Sequence, residues 1–247
     1  MPVLNNLSLE DVDIPNSHYG YSATRIDRLG ATEYTVAAIA CDVSGSTASF
    51  TFDMESAITK IVQACKFSPR EDNLLLRVVQ FDDSINEIHG FKLLENCDLA
   101  DYGGVLRSGG STALYDAAEN AVASIADYGG RLDASDFSVN AILFVITDGM
   151  DNASKLSARK VKQALKDAVS SEALESVISV LIGVNVQDKQ VSHFLNDFHK
   201  AAGFTQYIEL DKADADTLAR LAQFVSRSIS AQSQALGTGG SSNSLVF

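Results

Sequence analysis

Long apolar runs are absent: nothing in the 247 residues approaches the ~18 consecutive apolar residues of a membrane-crossing helix, which excludes a helical span. Positive charge is also short, with 19 Lys and Arg against 32 Asp and Glu and a formal charge of −13. A phosphate backbone repels such a chain, so nucleic acid is excluded as a general partner, whereas metal cations are favoured. Cysteine is scarce: Cys41, Cys65 and Cys97 are odd in number, and their spacing is neither that of a zinc ribbon nor of a CxxC redox pair. Cys41 falls in an apolar strand and Cys65 on an apolar helix face, where free thiols pack as small hydrophobes. That usage suits a reducing compartment. The opening stretch MPVLNNLSLEDVDIPNS has neither the basic n-region nor the long apolar h-region of a signal peptide, so a cytoplasmic protein is expected. No GxxxxGK[ST] or GxGxxG follows a strand, and no GxSxG comes with a placed histidine.

What is present is a regular alternation. Residues 1–33 are polar and poorly periodic, with two of the three prolines (Pro2 and Pro15), and read as an N-terminal extension. From Tyr34 the pattern changes. The runs YTVAAIAC (34–41), NLLLRVVQF (73–81), VNAILFVIT (139–147) and SVISVLIGV (176–184) are continuous and β-prone, as strands buried on both faces are. Between them lie helical patterns, such as Met54, Ala57, Ile58, Ile61, Val62 and Cys65 on one face of a helix. Residues 84–94 read as an antiparallel partner at a sheet edge, 205–210 as a last short strand and 215–229 as a last helix. Alternating strands and helices give an α/β, doubly wound, mostly parallel sheet with one antiparallel edge strand and helices on both faces. The expected organisation is an extension over 1–33, one domain over 34–231 and a flexible Gly/Ser-rich tail over 232–247.

In such sheets ligands bind beyond the carboxyl ends of the strands, where strand order reverses. Three segments fall there. IACDVSGST (39–47) ends the first long strand, RSGGSTALYDA (107–117) opens a helix, and TDG (147–149) ends the 139–147 strand. They supply two carboxylates and several hydroxyls, with no Cys or His. Hard oxygen donors suit Mg²⁺, Mn²⁺ or Ca²⁺ and argue against zinc or copper. Hydroxyls donate weakly, leaving a bound ion electrophilic and open to a carboxylate from elsewhere.

With Asp42, Ser44, Ser46, Thr112 and Asp148 in the order Asp-x-Ser-x-Ser, Thr, Asp, the chain resembles the von Willebrand factor A (vWA) domain family. That family carries a metal-ion-dependent adhesion site (MIDAS) of this form, and GGSTAL and VITDGMDN are similar to its second and third loops. The resemblance spans about residues 34 to 230. It implies that Ser44, Ser46 and Thr112 contact a divalent cation directly or through water, and that Asp42 and Asp148 do so directly or through water. It also implies that a partner's Glu or Asp completes the shell. Mg²⁺ is the expected ion, with Mn²⁺ or Ca²⁺ as alternatives. A partner such as an AAA+ ATPase or a stress-related complex is implied by the resemblance alone.

The expected function is therefore a metal-dependent protein–protein interaction module, not an enzyme. One alternative is an Mg²⁺-dependent phosphohydrolase of the haloacid-dehalogenase type, but DVSGS lacks that family's second Asp, and Ser44 is no general acid near neutral pH. Another is a structural subunit of a larger assembly. Asp151 and Asn152 read as turn residues, Asp82 and Asp83 as a hairpin turn, and Asp116 as a solvent or capping residue with a possible bond to the first loop. The four histidines read as non-catalytic.

Overall fold

The computed structural model describes residues 9–15 and 17–247. The first eight residues of the extension, and Asn16, lie outside the described residues. The described residues form eight strands: β1 (Leu9–Val12), β2 (Tyr21–Thr24), β3 (Glu33–Asp42), β4 (Leu74–Phe81), β5 (Ile85–Leu93), β6 (Ser138–Thr147), β7 (Val177–Gly183) and β8 (Gln206–Glu209). Five α-helices accompany them: α1 (Thr51–Lys66), α2 (Leu114–Asp133), α3 (Ala158–Ser170), α4 (Lys189–Ala202) and α5 (Ala215–Thr238). The sheet order is β1-β2-β5-β4-β3-β6-β7-β8. Strands β4, β3, β6, β7 and β8 run parallel. The strand expected over 84–94 is β5, antiparallel to β4.

Strand β3 shows why the apolar runs lack polar alternation. Ala37, Ile39 and Cys41 join one core with Met54, Ile58 and Ile61 of α1 and Leu218, Leu221 and Val225 of α5. Val36, Ala38 and Ala40 join a second core with Leu114 and Ala121 of α2, Val161 of α3 and Leu195 of α4. Neither face meets water, so both sets of alternate positions are apolar. Burying each large aliphatic side chain this way contributes roughly 1.5–3 kcal/mol.

Two features differ from the sequence reading. Residues 9–24 supply strands that extend the sheet past β5: β1 pairs antiparallel with β2, and β2 runs parallel to β5 through the pair Ala23 and Phe91. The reason is a buried polar clasp. Arg77 of β4 is 1% exposed. Its guanidinium donates to Glu87 at 2.6 Å, to Asn120 and Ser124 at 3.0 Å, and to the Gly20 carbonyl at 3.5 Å. Glu87 in turn accepts from the Ser22 amide and hydroxyl. The backbone also comes close, since a Cβ on Gly90 of β5 would sit 1.9 Å from the Ser22 carbonyl oxygen.

The second difference is the length of α5, which continues to Thr238 rather than stopping near Ile229. Its last turns look polar, but one face of them is buried. Gln232 donates to the Ala141 carbonyl and the Ser176 hydroxyl, and its own carbonyl accepts from Asn140. Ser233 accepts from Arg70 at 3.2 Å. The helix stops at Gly239, whose φ of 64° is the left-handed conformation glycine takes without strain. Among the described residues no helix is long and apolar enough to cross a membrane.

Candidate metal centre

From β3 the chain crosses to β4 on one side, while β6 flanks β3 on the other, so strand order reverses here. Three loops meet at that point. The first follows β3, the second precedes α2, and the third follows β6. The second is tied to the first by the Gly109 amide on the Val43 carbonyl (2.8 Å) and the Gly45 amide on the Gly110 carbonyl (3.3 Å). The third is tied to the second by Thr112, whose amide donates to Asn152 at 2.7 Å. The Thr112 carbonyl accepts from the Asn152 and Ala153 amides.

All five residues singled out in the sequence come together here. Asp42, Ser44 and Thr112 are buried, Asp148 is half-buried and Ser46 is exposed. Asp42 forms the floor: one carboxylate oxygen accepts from the Ser44 amide (2.8 Å), the other from the Thr147 hydroxyl (2.6 Å). The rim is a chain of oxygens. Ser44 Oγ and Ser46 Oγ are 3.2 Å apart, and Ser46 Oγ donates to Asp148 Oδ1 at 2.8 Å. The Thr112 hydroxyl lies 3.8 Å from where a Cβ on Gly149 would sit, so the second and third loops come together here. Thr47, the remaining oxygen of the first loop, turns inward and donates to the Ser44 carbonyl at 2.9 Å, shaping the turn.

The electrostatics point the same way. Burial pushes the Asp42 carboxyl up, against hydrogen bonds from Thr147 and Ser44. Burial raises Asp148 to about 6; the Ser46 bond opposes this and the nearby Asp42 charge adds to it. Neither carboxylate has an ion-pair partner among the described residues. The donor set fits a hard cation. Oxygens on neighbouring corners of an octahedron with ~2.1 Å bonds stand ~3.0 Å apart. The gaps of 3.2 and 2.8 Å along the rim bracket that spacing. No cluster of three His, Cys, Asp or Glu side chains suited to a metal occurs among the described residues. Here hydroxyls stand where a protein-only cage has carboxylates, so few protein charges would face a bound ion.

Residues outside the motif hold the loops. Asp116 is 3% exposed and accepts from the Lys155 and Leu156 amides at 3.1 and 2.8 Å. It clamps the third loop and is neither a solvent residue nor bonded to the first. Asp151 accepts from Ser154 and from the Tyr115 amide. Asp82 accepts from Ser84 and packs beneath Gly110. Glu55 of α1 is buried and accepts from the Gly104 and Leu106 amides, and Gln80 accepts from the Arg107 amide. The sequence pattern does not single out Glu55, Gln80 or Thr147. The signal for Glu55 was a carboxylate beside Met54 on an otherwise apolar helix face. His89 is buried between the Gly90 carbonyl and the Tyr102 hydroxyl, far in sequence from the three loops.

No family model matches the sequence, and no curated protein matches it either. Solved structures share the fold. The PilB minor pilin from Streptococcus sanguinis superposes with a TM-score of 0.60 at 14% identity, over 88% of this chain and 66% of that one. Proximal thread matrix protein 1 from the mussel byssus, with a zinc-occupied MIDAS motif, gives 0.52 at 20% identity, over 81% of this chain and 46% of that one. The pilus adhesin SpaC from Lactobacillus rhamnosus GG, in its open conformation, gives 0.55 at 10% identity, over 90% and 34%. The chain thus spans two thirds or less of each of these proteins. The likeness is one of fold, and that fold is vWA-like.

Proposed function

We propose that this chain is a metal-dependent protein-interaction module. In this reading Ser44, Ser46 and Thr112 hold a divalent cation, with Asp42 and Asp148 completing the protein's share of the shell. The observation that carries the reading is the rim itself: Ser44, Ser46 and Asp148 present oxygens at coordination spacing, over a carboxylate floor with no ion-pair partner among the described residues. When bound, the cation supplies a Lewis-acidic position that takes a carboxylate oxygen from a partner protein. The chain's own residues do the positioning. Thr147 and the Ser44 amide fix Asp42, Asn152 fixes the Thr112 backbone, and Asp116 fixes the third loop.

Mg²⁺ is the proposed ion, because the donors are oxygen only and two carboxylates match its charge. The mussel thread protein with zinc in its MIDAS supports a divalent cation at a site of this type. We propose a non-enzymatic role. A phosphohydrolase of the haloacid-dehalogenase type would need a second Asp as general acid, and the first loop has Ser44 in that place. Three buried free thiols support an intracellular setting. The test is a pull-down in Mg²⁺ followed by EDTA elution, with an Asp42→Ala/Ser44→Ala control. Partners released by EDTA and missing from the control are expected. Capture that survives both EDTA and the double substitution would sink the reading.

A further inference from the structure

The rim of the metal centre carries more than oxygens. Phe52, in the first turn of α1, is 79% exposed, and Met150, in the third loop, is 40% exposed. Each follows a rim oxygen closely along the chain: Phe52 comes six residues after Ser46, and Met150 two after Asp148. The 2.8 Å bond from Ser46 to Asp148 joins the two segments that carry them. Two large apolar side chains thus stand open to solvent beside the position a cation would offer.

A fixed stretch of backbone holds a cation beside Phe52. Glu55, three residues on along α1 and one turn away on the same side, accepts from the Gly104 and Leu106 amides at 2.9 and 2.8 Å. Gln80, near the end of β4, takes the alternate positions. It accepts from the Arg107 amide at 2.9 Å and donates to the Val105 carbonyl at 3.4 Å. Residues 104–107 are therefore clamped from two elements, while the Arg107 side chain is exposed and forms no ion pair among the described residues. Arg107 is the one basic residue in 42–50 and 103–113, the first two loops of the site, in a chain of −13.

We propose that this face takes an extended, mixed acidic and apolar segment of a partner protein. One carboxylate of that segment meets the cation, aliphatic side chains flanking it pack on Phe52 and Met150, and a second carboxylate meets Arg107. The proposal rests on the metal-dependent reading above and narrows its partner. A cation alone accepts any carboxylate, so it does not discriminate between acidic segments. Apolar neighbours do, because they add affinity only when the carboxylate arrives with apolar side chains. In an extended segment residues two apart share a face, so the aliphatic positions are those two before and two after the ligating acid. Single exposed apolar residues are ordinary on a surface. Two of them around one open cation position, with an arginine on a clamped loop, supply the apolar anchors and the charge complementarity of a recognition surface.

The probe is the labelled peptide Ser-Leu-Ser-Glu-Ser-Leu-Ser, followed by fluorescence anisotropy with the full chain in Mg²⁺. One twin has Ala for both Leu, another has Gln for Glu, and a longer one adds a second Glu. Calorimetry measures Mg²⁺ binding separately. The Leu peptide is expected to bind about tenfold more tightly than the Ala twin. EDTA or the Gln twin should abolish binding. Phe52→Ala/Met150→Ala is expected to bind the Leu and Ala peptides alike, with Mg²⁺ affinity and thermal unfolding unchanged. Arg107→Gln is expected to lose about threefold on the two-Glu peptide and nothing on the one-Glu peptide. Four results would overturn the proposal and leave the metal centre standing: equal affinity of the native chain for the Leu and Ala peptides, no peptide bound by the Mg²⁺-loaded chain, a Leu advantage that survives Phe52→Ala/Met150→Ala, or native behaviour of Arg107→Gln on the two-Glu peptide. Failure to bind Mg²⁺, or equal peptide binding in Mg²⁺ and EDTA, would instead sink the metal-dependent reading and the proposal with it.

Discussion

Thr112 and His89 are both buried, and their polar groups serve opposite ends. Thr112 spends its backbone on Asn152 and leaves its hydroxyl beside Gly149, facing the site. Thr112→Val keeps the backbone bonds and removes one oxygen donor. Titration calorimetry with Mg²⁺ is expected to show affinity reduced at least about tenfold, roughly 1.4 kcal/mol. An unchanged dissociation constant would remove Thr112 from the ligand set. His89 has no such freedom. A carbonyl only accepts, so Nδ1–H donates to Gly90 at 2.8 Å and Nε2 accepts from the Tyr102 hydroxyl at 2.7 Å. Burial pulls its pKa down to about 4 from the ordinary 6.5. Its neutral form is thus built into the fold. The associated stability is complete above pH 6.5 and is lost as pH falls toward 4, about 3 kcal/mol in all. Urea unfolding across that window should show a shallower acid loss for His89→Gln than for the native chain. Parallel pH profiles would refute the assignment.

Gly90 governs how an entire element docks. Its missing Cβ lets β2 lie against β5, with Ser22 donating to Glu87 and Arg77 reaching the Gly20 carbonyl. Gly90→Val is expected to detach β1 and β2 while β3, β4 and β6 stay paired. Hydrogen exchange would then accelerate in 21–24 and hold steady in 34–41; uniform acceleration would mean that the two parts unfold together. This is also where the sequence stops being informative. The long strands were legible because both faces of β3 and β6 are apolar, and the site was legible because its oxygens cluster at strand ends. Strands β1 and β2 have four residues each, too few for periodicity, and they are held by Arg77, which lies on a different strand. The last turns of α5 looked polar because Gln232 and Ser233 satisfy buried partners on other elements. Asp116 and Glu55 were misread or missed for the same reason: their partners are backbone amides of loops far along the chain.

For the molecule as a whole, a ligand that binds only the folded state adds stability by mass action. At a hundredfold excess over its dissociation constant, Mg²⁺ should contribute about 2.7 kcal/mol. For a chain of this size that is a rise of about 5–10 °C in the unfolding midpoint. Differential scanning calorimetry should show the shift in the native chain and its absence in Asp42→Ala/Ser44→Ala. Equal shifts in both would place the ion elsewhere.

The three loops of the metal centre lie far apart along the chain, at Asp42, Thr112 and Asp148. No short piece of nascent polypeptide contains the site. A cation therefore cannot act as a template for early folding. On the proposed reading it would meet its ligands only after β3, β6 and α2 have packed, so loading is expected to follow assembly of the sheet. Kinetically, the ion belongs to the unfolding limb: it should slow opening of the native state and leave the refolding rate unchanged. Stopped-flow refolding with and without Mg²⁺ measures this directly, and faster refolding in Mg²⁺ would mean that the loops meet before the rest of the sheet.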